Sequence, residues 1–121
     1  MKSILITLPI PNNGLSPNAR LHWAAKAKLT KNARLASYYI AKVVLNGELP
    51  KWTSARTTIT YYKKTAAHMD ADGALSRLKA ALDGIADAGI VSNDKAFSHN
   101  PITILKDAAN PRVGILIEQI P

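Results

Sequence analysis

Five of the eight acidic residues of this 121-residue chain, Asp70, Asp72, Asp83, Asp87 and Asp94, fall between positions 70 and 94. That stretch holds two basic residues, Arg77 and Lys79, whereas the rest of the chain sets 14 basic residues against Glu48, Asp107 and Glu118. The pair Asp70-x-Asp72 stands two residues after His68 and follows the basic pair Lys63-Lys64. Alternate residues of an extended segment point to one side, so both carboxylates can meet one cation. Hard oxygen ligands suit Mg²⁺, which keeps several waters and commonly takes only about one or two protein carboxylates. Asp94, in the turn Ser92-Asn93-Asp94, would return to the same place as a third ligand. A carboxylate island in a molecule of net charge +8 and pI about 9.9 is what a metal-dependent enzyme acting on phosphates requires. The excess of lysine and arginine points to a polyanion, either nucleic acid or an anionic membrane surface.

The elements that must carry these residues follow from hydrophobic period. Residues 3–8 (SILITL) suit a short buried strand, and PIPNNGLSPN is a loop. From about Leu21 to Leu45, Ala25, Leu29, Ala33, Ala36, Ile40 and Val44 recur at helical spacing, which predicts a helix closed by Asn46-Gly47. RTTITYYKK (56–64) is a strand by its β-branched and aromatic content, with one of Tyr61 and Tyr62 inward and the other outward. Helical spacing returns from about Ala71 to Ala88 and stops at Gly89. On that helix Leu75, Leu78, Ala81, Leu82 and Ile85 form the apolar arc. Asp72, Ser76, Lys79 and Asp83 form a separate stripe. PITILKD (101–107) and RVGILIEQI (112–120) read as two strands joined by AANP in a hairpin. The order β-α-β-α-β-β gives a single α/β (α+β) domain over 1–121, with a mixed sheet of about four strands and two helices.

Structural readings stand beside the chemical ones. Asp72 serves equally as the N-cap of its helix. The Asp72/Lys79/Asp83 stripe also reads as a solvated face, its i,i+4 pair worth only about a few tenths of a kcal/mol. His22, His68 and His99 are isolated by type; His68, two residues before Asp70, reads as packed or solvent-facing, with approach to the metal as its alternative, and Trp23 and Trp52 read as core or stacking surfaces. No cysteine is present, which excludes disulfides and thiolate chemistry and suits a reducing, cytoplasmic setting. No apolar run approaches the roughly 18 residues of a membrane span. The amino-terminal MKSILITLPIPNNG lacks a small-residue cleavage site and reads as a strand rather than a signal peptide. A P-loop ATPase is disfavoured, since no G-x-x-x-x-G-K run occurs.

MDADGALSRLKAALDGIADAGIVSND (69–94), and KAALDGIADAG (79–89) most closely, resembles the signature of the RusA-type Holliday junction resolvases. A looser similarity runs through the P-x-P loop and Asn18 to Trp23. The resemblance implies a Mg²⁺-dependent homodimeric endodeoxyribonuclease that nicks four-way junction DNA symmetrically, with no membrane involvement. It implies Asp70, Asp72 and Asp94 as metal-binding carboxylates and Lys79 as the catalytic lysine. Asp83 matches a recurrent acid that would support those ligands from outside their coordination sphere. Gly73 stands where the family has asparagine. Lys79 follows Asp72 by seven residues rather than four, with Ser76 at the usual distance. Arg20, Lys26, Lys28, Lys31, Arg34, Lys63 and Lys64 are the candidates for holding the DNA backbone. The competing expectations are a non-catalytic basic DNA-binding protein and a phosphoryl-transfer enzyme on nucleotides.

Overall fold

The computed structural model describes residues 3–17 and 19–121. Strand β1 (Ser3–Leu8) buries Ile4, Ile6 and Leu8 and turns Ser3, Leu5 and Thr7 outward, the period-two alternation of a strand with one face on a core. It pairs antiparallel with β5 (Arg112–Gln119), which pairs antiparallel with β2 (Ala55–Lys63). The register lines up three inward rows across these strands, Ile4–Ile117–Thr57, Ile6–Ile115–Ile59 and Leu8–Val113–Tyr61, all buried. Along the other edge of β2 run two short parallel strands, β3 (Phe97–His99) and β4 (Thr103–Lys106). The mixed five-stranded sheet and two helices make an α+β fold, as the element order implied.

The expected hairpin between the last two strands is absent. β4 and β5 lie on opposite sides of β2, and residues 107–111 cross over the end of that strand. The crossing is fixed by charge: Arg112 Nη1 donates to Asp107 Oδ2 at 2.8 Å and to the Asn110 carbonyl at 2.8 Å. Its guanidinium lies 3.7 Å from the centre of the Tyr62 ring. Tyr62 is therefore the outward ring of its pair and Tyr61 the buried one.

Helix α1 (Trp23–Leu45) ends where the sequence indicated, with Asn46 at φ 48° and Gly47 at φ 88° in the left-handed region. Its buried seam differs from the predicted stripe. Ser37, Ala41 and Leu45 are the buried positions, while Val44 is exposed. The reason is the crossing with α2 (Ala71–Asp87). A Cβ at Gly84 would lie 2.0 Å from the Arg34 carbonyl oxygen and 2.1 Å from Ser37 Oγ. The helix backbones thus meet over hydrogen atoms, and only small residues fit the seam. The Ser37 hydroxyl donates to the Ala81 carbonyl at 2.7 Å across the same contact. Arg34 closes its far side, with Nε 2.6 Å and Nη2 2.9 Å from the two oxygens of Asp87.

α2 buries Ala74, Leu78, Ala81, Leu82 and Ile85, close to the predicted arc. After Gly89 (φ 99°) the chain is clamped to residues 51–52: Lys51 N–H donates to the Gly89 carbonyl, Trp52 N–H to Ile90 and Ser92 N–H to Trp52. Trp52 itself is buried, so its core reading holds.

Gly84→Ala should destabilise the fold by about 1–3 kcal/mol, because a methyl group there forces the helices apart. Gly114→Ala, whose Cβ would meet nothing within 4 Å, should stay within about 0.5 kcal/mol of the parent. Urea denaturation of both variants checks this, and equal stabilities would contradict the close crossing.

Candidate functional site

The amino terminus of α2 is built by Asp70. Its backbone is extended (φ −86°, ψ 162°) and its Oδ1 accepts the Gly73 N–H at 2.6 Å, so Asp70 rather than Asp72 is the N-cap. Asp72 sits within the first helical turn, where the positive end of the helix dipole favours a carboxylate. The extended alternation that would aim both carboxylates alike therefore stops at Asp70. Gly73 belongs to this arrangement, since a Cβ there would lie 3.0 Å from Asp70 Oδ1.

Ion pairing divides the acids. Asp83 stands 3.5 Å from Lys79, Asp87 pairs with Arg34, and Asp107 pairs with Arg112. The hydrogen bonds from Arg34 hold the Asp87 carboxyl below the usual range, outweighing the opposing effect of burial. Asp70, Asp72 and Asp94 form no ion pair among the described residues, although basic residues outnumber acids two to one.

Asp94 opens a 3₁₀ turn (Asp94–Ala96) capped by Asn93, whose Oδ1 accepts the Lys95 N–H at 2.9 Å. Two clefts meet there. One, of about 520 Å³, is lined by Arg34, Lys51, Asp83, Asp87 and Asp94. The other, of about 150 Å³, is lined by Leu75, Lys79, Asp83, Asp94 and His99. The structure thus brings Asp94 to Asp83, Lys79 and His99, while Asp70 and Asp72 line neither cleft. Asp72 and Asp83 are 11 residues apart on α2, roughly 16 Å along the axis at about 1.5 Å per residue. Among the described residues no three His, Asp or Glu side chains gather as a metal-ligand group. In kind, the unpaired carboxylates fit a hard divalent cation, which needs only about one or two of them beside water and phosphate oxygens.

His99 was not singled out by sequence because its surroundings are non-local. β3 sets it opposite Thr57, and His99 Nδ1 and Thr57 Oγ1 share a hydrogen bond of 2.5 Å. Burial, and secondarily the charge of Lys79, push the His99 pKa below its usual 6.5.

The basic candidates separate as well. α1 carries five basic residues, Lys26, Lys28, Lys31, Arg34 and Lys42, and no acid. Arg34 is committed to Asp87, and Lys63 donates to the Ala67 carbonyl. Arg20, Lys26, Lys28, Lys31 and Lys64 make no ion pair among the described residues. Trp23 is 77% exposed at the start of α1 and borders a shallow depression with Lys26, Lys31 and Arg34. It is surface rather than core. A tryptophan inside a basic, acid-free segment was the sequence signal for that. Asn18 lies outside the described residues. Among the described residues no helix is long and apolar enough to cross a membrane.

No family model matches the sequence. A protein of Xylella fastidiosa (strain Temecula1) described as uncharacterized is 37% identical over 106 residues, covering 80% of this chain and 64% of that protein. The chain therefore spans less than two thirds of that relative's length. The crystal structure of the periplasmic domain of Helicobacter pylori MotB matches over 99% of this chain and 81% of its own, with a TM-score of 0.42 and 13% identity.

A group whose folded pKa is lowered stabilises the fold above its unfolded pKa, and that contribution is lost as pH falls through the folded value. For His99 this places the loss below pH 6.5. Proton NMR should give a His99 midpoint under 6.5, and His99→Gln should flatten the decline in stability below that pH. A His99 midpoint at or above 6.5 would contradict the partly desolvated, Thr57-bonded ring.

Proposed function

We propose that the chain is a Mg²⁺-dependent endodeoxyribonuclease that nicks four-way DNA junctions, acting as a homodimer in the cytoplasm. The observation that carries this reading is that Asp70, Asp72 and Asp94, like Glu48 and Glu118 elsewhere, form no ion pair among the described residues of a protein of net charge +8. Neutralising these carboxylates with protein cations would have cost little in so basic a chain. Their neighbours Asp83 and Asp87 are neutralised in that way. The resemblance of residues 69–94 to RusA-type resolvases assigns the same three side chains to the metal.

Asp70, through the oxygen not spent on Gly73, together with Asp72 would hold the ion, and Asp94 would join them only by closing from the cleft it shares with Asp83 onto the start of α2. When bound, Mg²⁺ polarises a phosphodiester oxygen and activates water for attack. Lys79, its side chain 73% exposed, is free to leave Asp83 and meet charge growing on the phosphoryl oxygens. Lys26, Lys28 and Lys31 on the acid-free helix α1 hold the DNA backbone, and Trp23 offers a stacking surface for an unpaired base. A junction with two-fold symmetry is matched by two equivalent sites in a C₂ dimer.

A second reading, a non-catalytic DNA-binding protein, is favoured by the absence of a gathered three-acid group among the described residues. One assay separates the two: incubation of a synthetic four-way junction and a linear duplex with the protein, in Mg²⁺ or EDTA. Paired nicks in the junction with Mg²⁺, and binding without cutting in EDTA, are expected. Asp72→Asn should abolish nicking and keep binding. Normal cutting by Asp72→Asn, or no cutting by the parent protein, would overturn the nuclease reading. The affinity should fall steeply with salt, and Lys28→Ala and Lys31→Ala should each lower the slope of log K against log salt by about 1. An unchanged slope in both variants would remove α1 from the DNA-binding surface.

A further inference from the structure

Away from the acidic residues, a cavity of about 270 Å³ lies between the loop that follows β1 and the facing sides of α1 and α2. Its walls are apolar, with Leu8, Ile10, Leu29, Ala33, Ile40 and Leu78 among them. Pro9 and Pro11 roof it, and their fixed φ angles make that roof stiff. The roof is pinned to α1 at Gly14, where a Cβ would lie 2.4 Å from Leu29 Cδ1.

Four polar residues also line it, Asn12, Asn32, Ser37 and Arg77, and of these Arg77 alone carries a charge. Arg77, partly exposed as a residue, projects from α2 into this lining; its guanidinium meets the Tyr61 hydroxyl, and its Nε is buried with no hydrogen-bond acceptor among the described residues. Arg77 forms no ion pair among the described residues. Its neighbour Tyr61 supplies no charge: burial pushes the tyrosine hydroxyl up, against the hydrogen bond and charge of Arg77. Buried donors without acceptors are rare in native proteins, and a guanidinium takes a carboxylate in preference to a neutral acceptor. The apolar walls select the other end of the ligand. The volume lies just under the roughly 300–1,000 Å³ of ordinary ligand sites, which limits the occupant to a single ring or short aliphatic chain.

We propose that this cavity is a binding site for a small apolar monocarboxylate, its carboxylate held by Arg77 and its body by the walls of α1 and α2. The site is independent of the nuclease reading, because none of its lining residues belongs to the acidic group or to the basic face assigned to DNA. Both α helices and the proline loop contact the ligand, so its binding braces the contact on which the fold relies.

The test follows the Arg77 Nε–H resonance of the ¹⁵N-labelled full chain during titration with benzoate, benzyl alcohol and phenyl phosphate. Benzoate is expected to shift that resonance saturably and to bind at least about tenfold more tightly than benzyl alcohol. It should also bind more tightly than phenyl phosphate, whose second charge is costly to strip of water in an apolar hole. Ala33→Leu, which fills the cavity and keeps the guanidinium, should abolish the shift. Arg77→Met, followed by backbone amides lining the cavity, should bring benzoate down to the affinity of benzyl alcohol. No saturable shift, equal binding of benzyl alcohol, tighter binding of phenyl phosphate, or unchanged binding in Ala33→Leu would each overturn the proposal. Should either variant fail to fold, the three titrations of the parent chain decide.

Discussion

The close approach of α1 and α2 at Gly84 governs the rest of the molecule. With no side chain at that point, the Arg34 carbonyl and the Ser37 hydroxyl pack directly on α2. This fixes how α2 is rotated about its axis. Its apolar arc then faces the sheet, and Lys79 and Asp83 are left on the rim. The same crossing leaves room between the helices near the proline loop, where Ala33 and Ala36 of α1 sit between Leu29 and Ile40. Core, polar rim and cavity are three consequences of one helix–helix contact.

Charge is distributed around that contact by use. Arg34 and Asp87 tie the helices together, Arg112 and Asp107 tie the crossing after β4, and Lys79 and Asp83 form a loose exposed pair. Among the charges outside these pairs, carboxylates stand at the start of α2 and in the turn after it, and lysines without an acid among them run along α1. A protein whose surface charges served only solubility would gain from interspersing the two signs. The acid-free helix α1 is the support that charge lends to the proposed phosphate-bearing partner.

Elements with a strong internal period were legible in the sequence, and partner choice was not. β1, β2 and both helices announce themselves through alternation or helical spacing, and Asn46-Gly47 and Gly89 mark their ends by backbone chemistry. The segments 101–107 and 112–120 each read as strands, but adjacency suggested a hairpin. Only the Asp107–Arg112–Tyr62 cluster shows why the chain crosses over β2. α1 misled by about one residue of rotation because its buried seam uses Ser37 and Ala41, small residues that no hydrophobicity pattern favours. At the site, the composition of the acidic stretch was plain, whereas the capping role of Asp70 and the Thr57–His99 bond depend on folded geometry. The sequence could name Asp94 as a returning residue but not where it lands, beside the carboxyl-terminal half of α2.

Asp70, Asp72 and Asp94 are proposed to serve one divalent ion. Paramagnetic broadening by substoichiometric Mn²⁺ tests it without any reaction. Selective loss of the amide signals of residues 70–73 and 93–95 together, reversed by excess Mg²⁺, is expected. Broadening confined to the cleft of Asp83 and Asp94, or spread weakly over the surface, would contradict it.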